Sequence, residues 1–107
     1  MHIEVLETLR QQIESTLNLN MPLMDEGDDY YLPYFEPCPD IMLWLFKKQW
    51  EETWPQFANR NIDAGDVVIF NRANDNSGVN PFIIRANDPL YLTKIKEAFD
   101  FCVKGHK

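Results

Sequence analysis

The sequence predicts an α+β fold in which three main helices pack on one face of a small antiparallel sheet, a β-hairpin with a third edge strand available from Tyr30 to Phe35. Three observations carry that expectation. Residues 2 to 17 and 89 to 104 repeat apolar side chains at three- and four-residue intervals. Val67 to Phe70 and Phe82 to Arg85 are short β-branched and aromatic runs separated by turn formers. The 107 residues, 45% hydrophobic and 25% charged, suit a single domain (1–107) around one core.

The first helix places Ile3, Leu6, Leu9, Ile13 and Leu17 on one face and Glu4, Glu7, Gln11, Gln12 and Glu14 on the other. It should stop near Asn18 to Asn20, because Asn tolerates left-handed geometry and Pro22 disfavours helix in the residue before it. The stretch Met21 to Asp40, MPLMDEGDDYYLPYFEPCPD, then reads as ordered loop. Tyr30, Tyr31, Tyr34 and Phe35 have strand propensity that Pro33 interrupts, so a strand here belongs at a sheet edge. Pro37 and Pro39 keep the chain extended up to Asp40, which is placed to cap a second helix over Ile41 to about Trp54. That helix opens with the all-apolar IMLWLF and should be the central one of the fold.

Two strands follow, with NRANDNSGVN between them, so the hairpin loop is longer than two residues. Each strand exits through Arg-Ala-Asn-Asp, at residues 72–75 and 85–88; the echo is turn chemistry rather than a repeat of domain size. The closing helix has Asp88 as N-cap, Pro89 at its first position, Leu92, Ile95, Phe99 and Cys102 as its stripe, and Gly105 past its end.

Charge is distributed unevenly. Residues 11 to 46 hold seven acids and no Lys, Arg or His, while the other 71 residues hold ten acids and ten Lys or Arg, so the formal charge of −7 resides in one segment. A single-signed segment on an otherwise balanced chain creates a directed field. The same acidity disfavours direct binding to nucleic acid or to an anionic membrane, both polyanions. The N-terminus, MHIEVLETLR, lacks a basic stretch followed by an uninterrupted apolar run, and the longest apolar run is the six residues Ile41 to Phe46. Spanning a bilayer takes about 20 apolar residues. A soluble, cytoplasmic protein is expected, with Cys38 and Cys102 as reduced thiols.

Catalytic and metal-binding patterns fail on their spacing. Asp25, Asp29 and Glu36 fall at positions one, five and twelve of a calcium loop, but Gly27 and Tyr30 occupy positions three and six, where an acid and the required glycine belong. Glu36 and Asp40 form a carboxylate pair without signs of desolvation. Cys38 has no histidine nearer than His2 and His106, both terminal. No phosphate loop, dinucleotide fingerprint or zinc spacing occurs. No enzyme activity, metal or cofactor is therefore expected.

What remains is recognition. Tyrosines inside an acidic run combine aromatic anchors with charge that steers a basic partner. The candidate partner-binding residues are Asp25, Glu26, Asp28, Asp29, Tyr30, Tyr31, Tyr34 and Glu36. For the tyrosines the competing expectation is packing in the core. The acidic run with its tyrosine pair near a proline resembles, over about a dozen residues, the recognition region of nuclease-bacteriocin immunity proteins. Those proteins are all-helical and this chain carries strands, so the likeness is one of use and transfers no residue roles. The expected function is a protein-binding inhibitor that blocks a basic, nucleic-acid-directed enzyme, as a toxin-immunity or phage anti-defence protein would. The alternative is a structural or adaptor subunit whose apolar faces, Trp44 included, complete an oligomer.

Overall fold

Six consecutive apolar residues, IMLWLF, fit two structures equally well: a helix covered on all sides, or a strand buried on both faces. The chain adopts the second. The structure, a computed structural model, describes residues 3–21, 30–31, 39–49, 62–71 and 81–104. In these the elements run α1 (Ile3–Leu17), β1 (Tyr30–Tyr31), β2 (Ile41–Phe46), β3 (Val67–Asn71), β4 (Phe82–Ile84) and α2 (Tyr91–Lys104). The expected central helix from Ile41 is thus corrected to β2, and Asp40, expected as its cap, lies in the turn before a strand. A six-residue length suits a strand better than a helix of three turns. The remainder of that expected helix from Trp50, Cys38, and residues 72–80, expected as the hairpin loop, lie outside the described residues.

The class is α+β: a four-stranded antiparallel sheet in the order β1-β2-β3-β4, with two helices among the described residues. Leu43 pairs with Ile69 and Met42 with Phe70 at its centre, Val67 pairs with Ile84 on one side, and Tyr31 pairs with Leu45 on the other. The hairpin and the edge strand at Tyr30 were expected; β2 joins them into one sheet.

Alternation sorts the strands into two faces. Tyr31, Ile41, Leu43, Leu45, Val67, Ile69 and Ile84 share a core with Leu6, Ile13 and Leu17 of α1 and Ile95, Ala98, Phe99 and Cys102 of α2. Each fully buried aliphatic side chain in it contributes about 1.5–3 kcal/mol relative to exposure. On the opposite face Trp44, Phe46, Val68 and Phe70 cluster with Ile62. Trp44, only 4% exposed, stacks on Tyr30 with ring centroids 4.8 Å apart and meets Phe70 edge-on at 5.5 Å. Its indole belongs to this packing rather than to an oligomer surface.

Helix ends follow local chemistry. Asn18 takes the left-handed conformation (φ 54°) just past α1, and the Leu19 amide donates back to the Glu14 carbonyl at 3.1 Å. This is the six-to-one hydrogen bond of a Schellman ending. At the start of α2 the Asp88 carboxylate accepts from the Leu90 amide at 2.8 Å and pairs with Lys94, and these contacts hold its pKa below the usual aspartate range.

The sheet is locked to α2 through one turn. Asp63 to Asp66 closes with the Asp66 amide donating to the Asp63 carbonyl, and Gly65 supplies the positive φ (91°) that the third position of a type II turn requires. Asp66, 3% exposed, accepts from the Asp63 amide at 3.0 Å, the Ala86 amide at 2.9 Å and the Arg85 guanidinium at 2.9 Å. The Tyr91 hydroxyl donates to the Gly65 carbonyl at 2.7 Å, tying the first turn of α2 to the same corner.

Candidate interaction surfaces

Of the eight residues expected to bind a partner, Asp25, Glu26, Asp28, Asp29, Tyr34 and Glu36 lie outside the described residues. The two that are described take different places. Tyr30 is half-buried against Trp44 and Phe46 on the sheet face away from the helices. Tyr31 is 1% exposed and belongs to the core under α1. The choice between anchor and core that its sequence context leaves open falls to the core for this ring.

Burial of Tyr31 requires a partner for its hydroxyl, because an unpaired phenol in the interior loses its hydrogen bond to water. The hydroxyl donates to Glu7 Oε1 at 2.9 Å. Two cations approach the same ring, with Lys47 Nζ 5.0 Å and Arg10 Cζ 5.9 Å from its centroid. Arg10 also pairs with Glu7 (2.9 Å) and with Glu14, and donates to the Met21 carbonyl at 3.0 Å. Glu14 completes the circuit by accepting from the Met21 amide at 2.9 Å. The two bases that bracket the acidic segment in sequence are therefore both engaged at Tyr31, and both flanks of residues 22–29 are fixed: Met21 against α1 and Tyr30 in the edge strand β1.

Protonation at this cluster is set firmly. Hydrogen bonding from Arg10 holds the Glu7 carboxyl below its ordinary value of 4.5 against the opposing effect of burial, and Tyr31 adds a second hydrogen bond. Burial, then the hydrogen bond to Glu7, pushes the Tyr31 phenol up to about 12. Both shifts run away from neutral pH, so neither group exchanges a proton there. A carboxyl depressed in the folded state stabilises the fold above its unfolded pKa and loses that contribution as pH falls through the folded one. Glu7→Gln is therefore expected to reduce the loss of stability on acidification below about pH 5, read by urea titrations of both chains across that range. An unchanged acid limb would mean that Glu7 has no such coupling.

A second surface was not anticipated. Between β4 and α2 runs a groove of about 470 Å³ lined by Phe82, Ile83, Ile84, Ala98 and Phe101, with Lys94 and Glu97 on its rim. Phe82 is 38% and Phe101 67% exposed, and their rings meet edge-on at 5.5 Å. The signal was present in the sequence: Phe101 falls off the Leu92, Ile95, Phe99, Cys102 stripe and so points away from the core α2 covers.

Among the described residues no three His, Cys, Asp or Glu side chains come together as a metal site, and no helix is long and apolar enough to cross a membrane. Cys102 is buried as a small hydrophobe, and burial pushes its thiol up to about 11. The architecture defines a small α+β protein with two helices packed on one sheet face and an apolar groove beside the β4 edge. Compared with protein-family models, with curated proteins and with solved structures, the chain has no match.

Proposed function

We infer that this chain is a non-catalytic, protein-binding inhibitor whose acidic segment, entered at Met21 and left at Tyr30, docks on the basic surface of a nucleic-acid-directed enzyme. A toxin's immunity partner and a phage anti-defence protein are the two settings in which such a molecule would serve. The observation that carries the reading is how charge is matched. In the described residues Glu7 and Glu14 pair with Arg10, Asp66 with Arg85, Asp88 with Lys94, and Asp100 with Lys96. The body thus neutralises much of its own charge, while Asp25, Glu26, Asp28 and Asp29 sit in a stretch without a base between Arg10 and Lys47. Fixed flanks favour binding, since a segment held at both ends loses less entropy on docking than a free tail. With Tyr31 in the core, the contact rests on the acids, Tyr34 and Glu36, with Tyr30 at its margin.

Replacing Asp25, Glu26, Asp28 and Asp29 by Asn or Gln is expected to slow association with the partner by about tenfold or more at low salt, with the difference shrinking as salt is raised. Capture from the native host with wild-type and neutralised chains, followed by association kinetics on the recovered protein, measures this. Recovery of the same proteins by both chains, or association indifferent to salt, would overturn the reading. The alternative role as an oligomer-forming subunit is favoured by one observation, the exposed Phe82 and Phe101 pair.

A further inference from the structure

We propose that the β4 edge and the adjoining face of α2 form a two-fold interface with a second copy of this chain, joining two four-stranded sheets into one. β4 closes the strand order, with β3 on one side and no strand on the other among the described residues. Two identical edges related by a two-fold axis run antiparallel, so β4 against β4 continues the pattern of the sheet with main-chain hydrogen bonds. The groove beside it would receive the mate's Phe82 and Phe101, which stand 38% and 67% exposed. At about 200 Å² per aromatic side chain, covering them removes roughly 200 Å² of apolar surface per copy. That is about a quarter of the 800 Å² a standard interface takes from each partner, with strand backbone and helix rim left to supply the rest.

Charge selects a second copy over another occupant. The rim carries one base and one acid, Lys94 and Glu97, a single turn apart on α2. A two-fold mate is reversed end for end, which sets Lys94 beside its Glu97 and Glu97 beside its Lys94. A uniformly basic or acidic partner would meet one match and one clash. Lys94 keeps Asp88 as a partner within its own chain, so pairing across the interface adds to an existing cluster. The excess negative charge of the chain resides in residues 11 to 46, none of which lines the groove. The acidic segment runs into β1, at the far edge of the sheet from β4. With strands about 4.8 Å apart, the two β1 edges of a joined sheet stand roughly 34 Å from each other, several times the screening length of about 8 Å in physiological salt. The groove residues include none of those on which the inhibitor reading rests, so the two proposals fail separately.

Sedimentation equilibrium of the full chain at about 100 µM is expected to show twice the 12.6 kDa monomer mass. Phe101→Asp should leave a monomer with an unchanged circular dichroism spectrum. Lys94→Glu and Glu97→Lys should each weaken the dimer at least about fivefold, and the double exchange should recover most of the loss, as a self-complementary rim requires. A wild-type monomer at that concentration, a dimer indifferent to Phe101→Asp, or failure of the double exchange to rescue would each overturn the proposal. So would protection of the β4 amides that appears only when a different host protein is added.

Discussion

Replacing Tyr31 with alanine is expected to destabilise the fold by about 3–5 kcal/mol, the range measured when large aromatic side chains are removed from cores. The ring is 1% exposed, is shared between α1 and the sheet, and has a hydroxyl committed to Glu7. Tyr31→Phe separates the two contributions: it keeps the packing and loses the hydrogen bond to a charged acceptor, at about 1.5–3 kcal/mol. Urea unfolding of the two variants measures both figures. The alanine result also discriminates between the two roles that the acidic context of this tyrosine suggests. An anchor on the surface would lose affinity and keep its melting temperature, whereas a core ring loses stability. A Tyr31→Ala chain that melts like wild type would place the ring at a binding face after all.

Asp66→Ala should cost a similar amount, about 3–5 kcal/mol, for a different reason. The carboxylate is 3% exposed and accepts from two backbone amides, Asp63 and Ala86, as well as from Arg85. Hydrogen bonds to a charged acceptor are worth about 1.5–3 kcal/mol each, and alanine leaves two main-chain donors without an acceptor. Arg85→Ala should cost only about 1 kcal/mol, because its guanidinium is partly exposed and Asp66 keeps both amides. Comparable losses in the two variants would assign the stability to the ion pair rather than to the tethering of the backbone. The expected ratio follows from position: Asp66 ties the main chain of the turn before β3 to the main chain leaving β4, whereas Arg85 adds a single side-chain contact to the same carboxylate.

The parts of this fold that were legible in the sequence are those decided locally. Asp88 before Pro89 marks the start of α2 because a carboxylate within reach of the next amides is a cap wherever it occurs. Asn18 marks the end of α1 because few other side chains tolerate positive φ. The two strands of the hairpin and the edge strand at Tyr30 announced themselves through β-branched and aromatic residues between turn formers. Ile41–Phe46 did not, since a run without polar residues has no period to read, and whether it becomes helix or strand depends on β3 lying alongside. Tyr31 was ambiguous for a related reason. Its burial depends on Glu7, 24 residues earlier, and nothing near it in the chain reports that partner. Asp66 looked like an ordinary turn residue, because its acceptor role is completed at Arg85 and Ala86. The acids at 25–29 were the most visible feature of the sequence, and they lie outside the described residues.

The packing of α1 beside α2 has a consequence for biosynthesis. Leu6, Ile13 and Leu17 leave the ribosome early, yet the side chains that complete their core, Ile95, Phe99 and Cys102, come from the last element of the sheet-and-helix sequence. At about 5–20 residues translated per second, the greasy stripe of the first helix waits on the order of 4–15 s for its counterpart. Throughout that interval the stripe has no apolar cover from α2, and this core closes only once that helix has emerged.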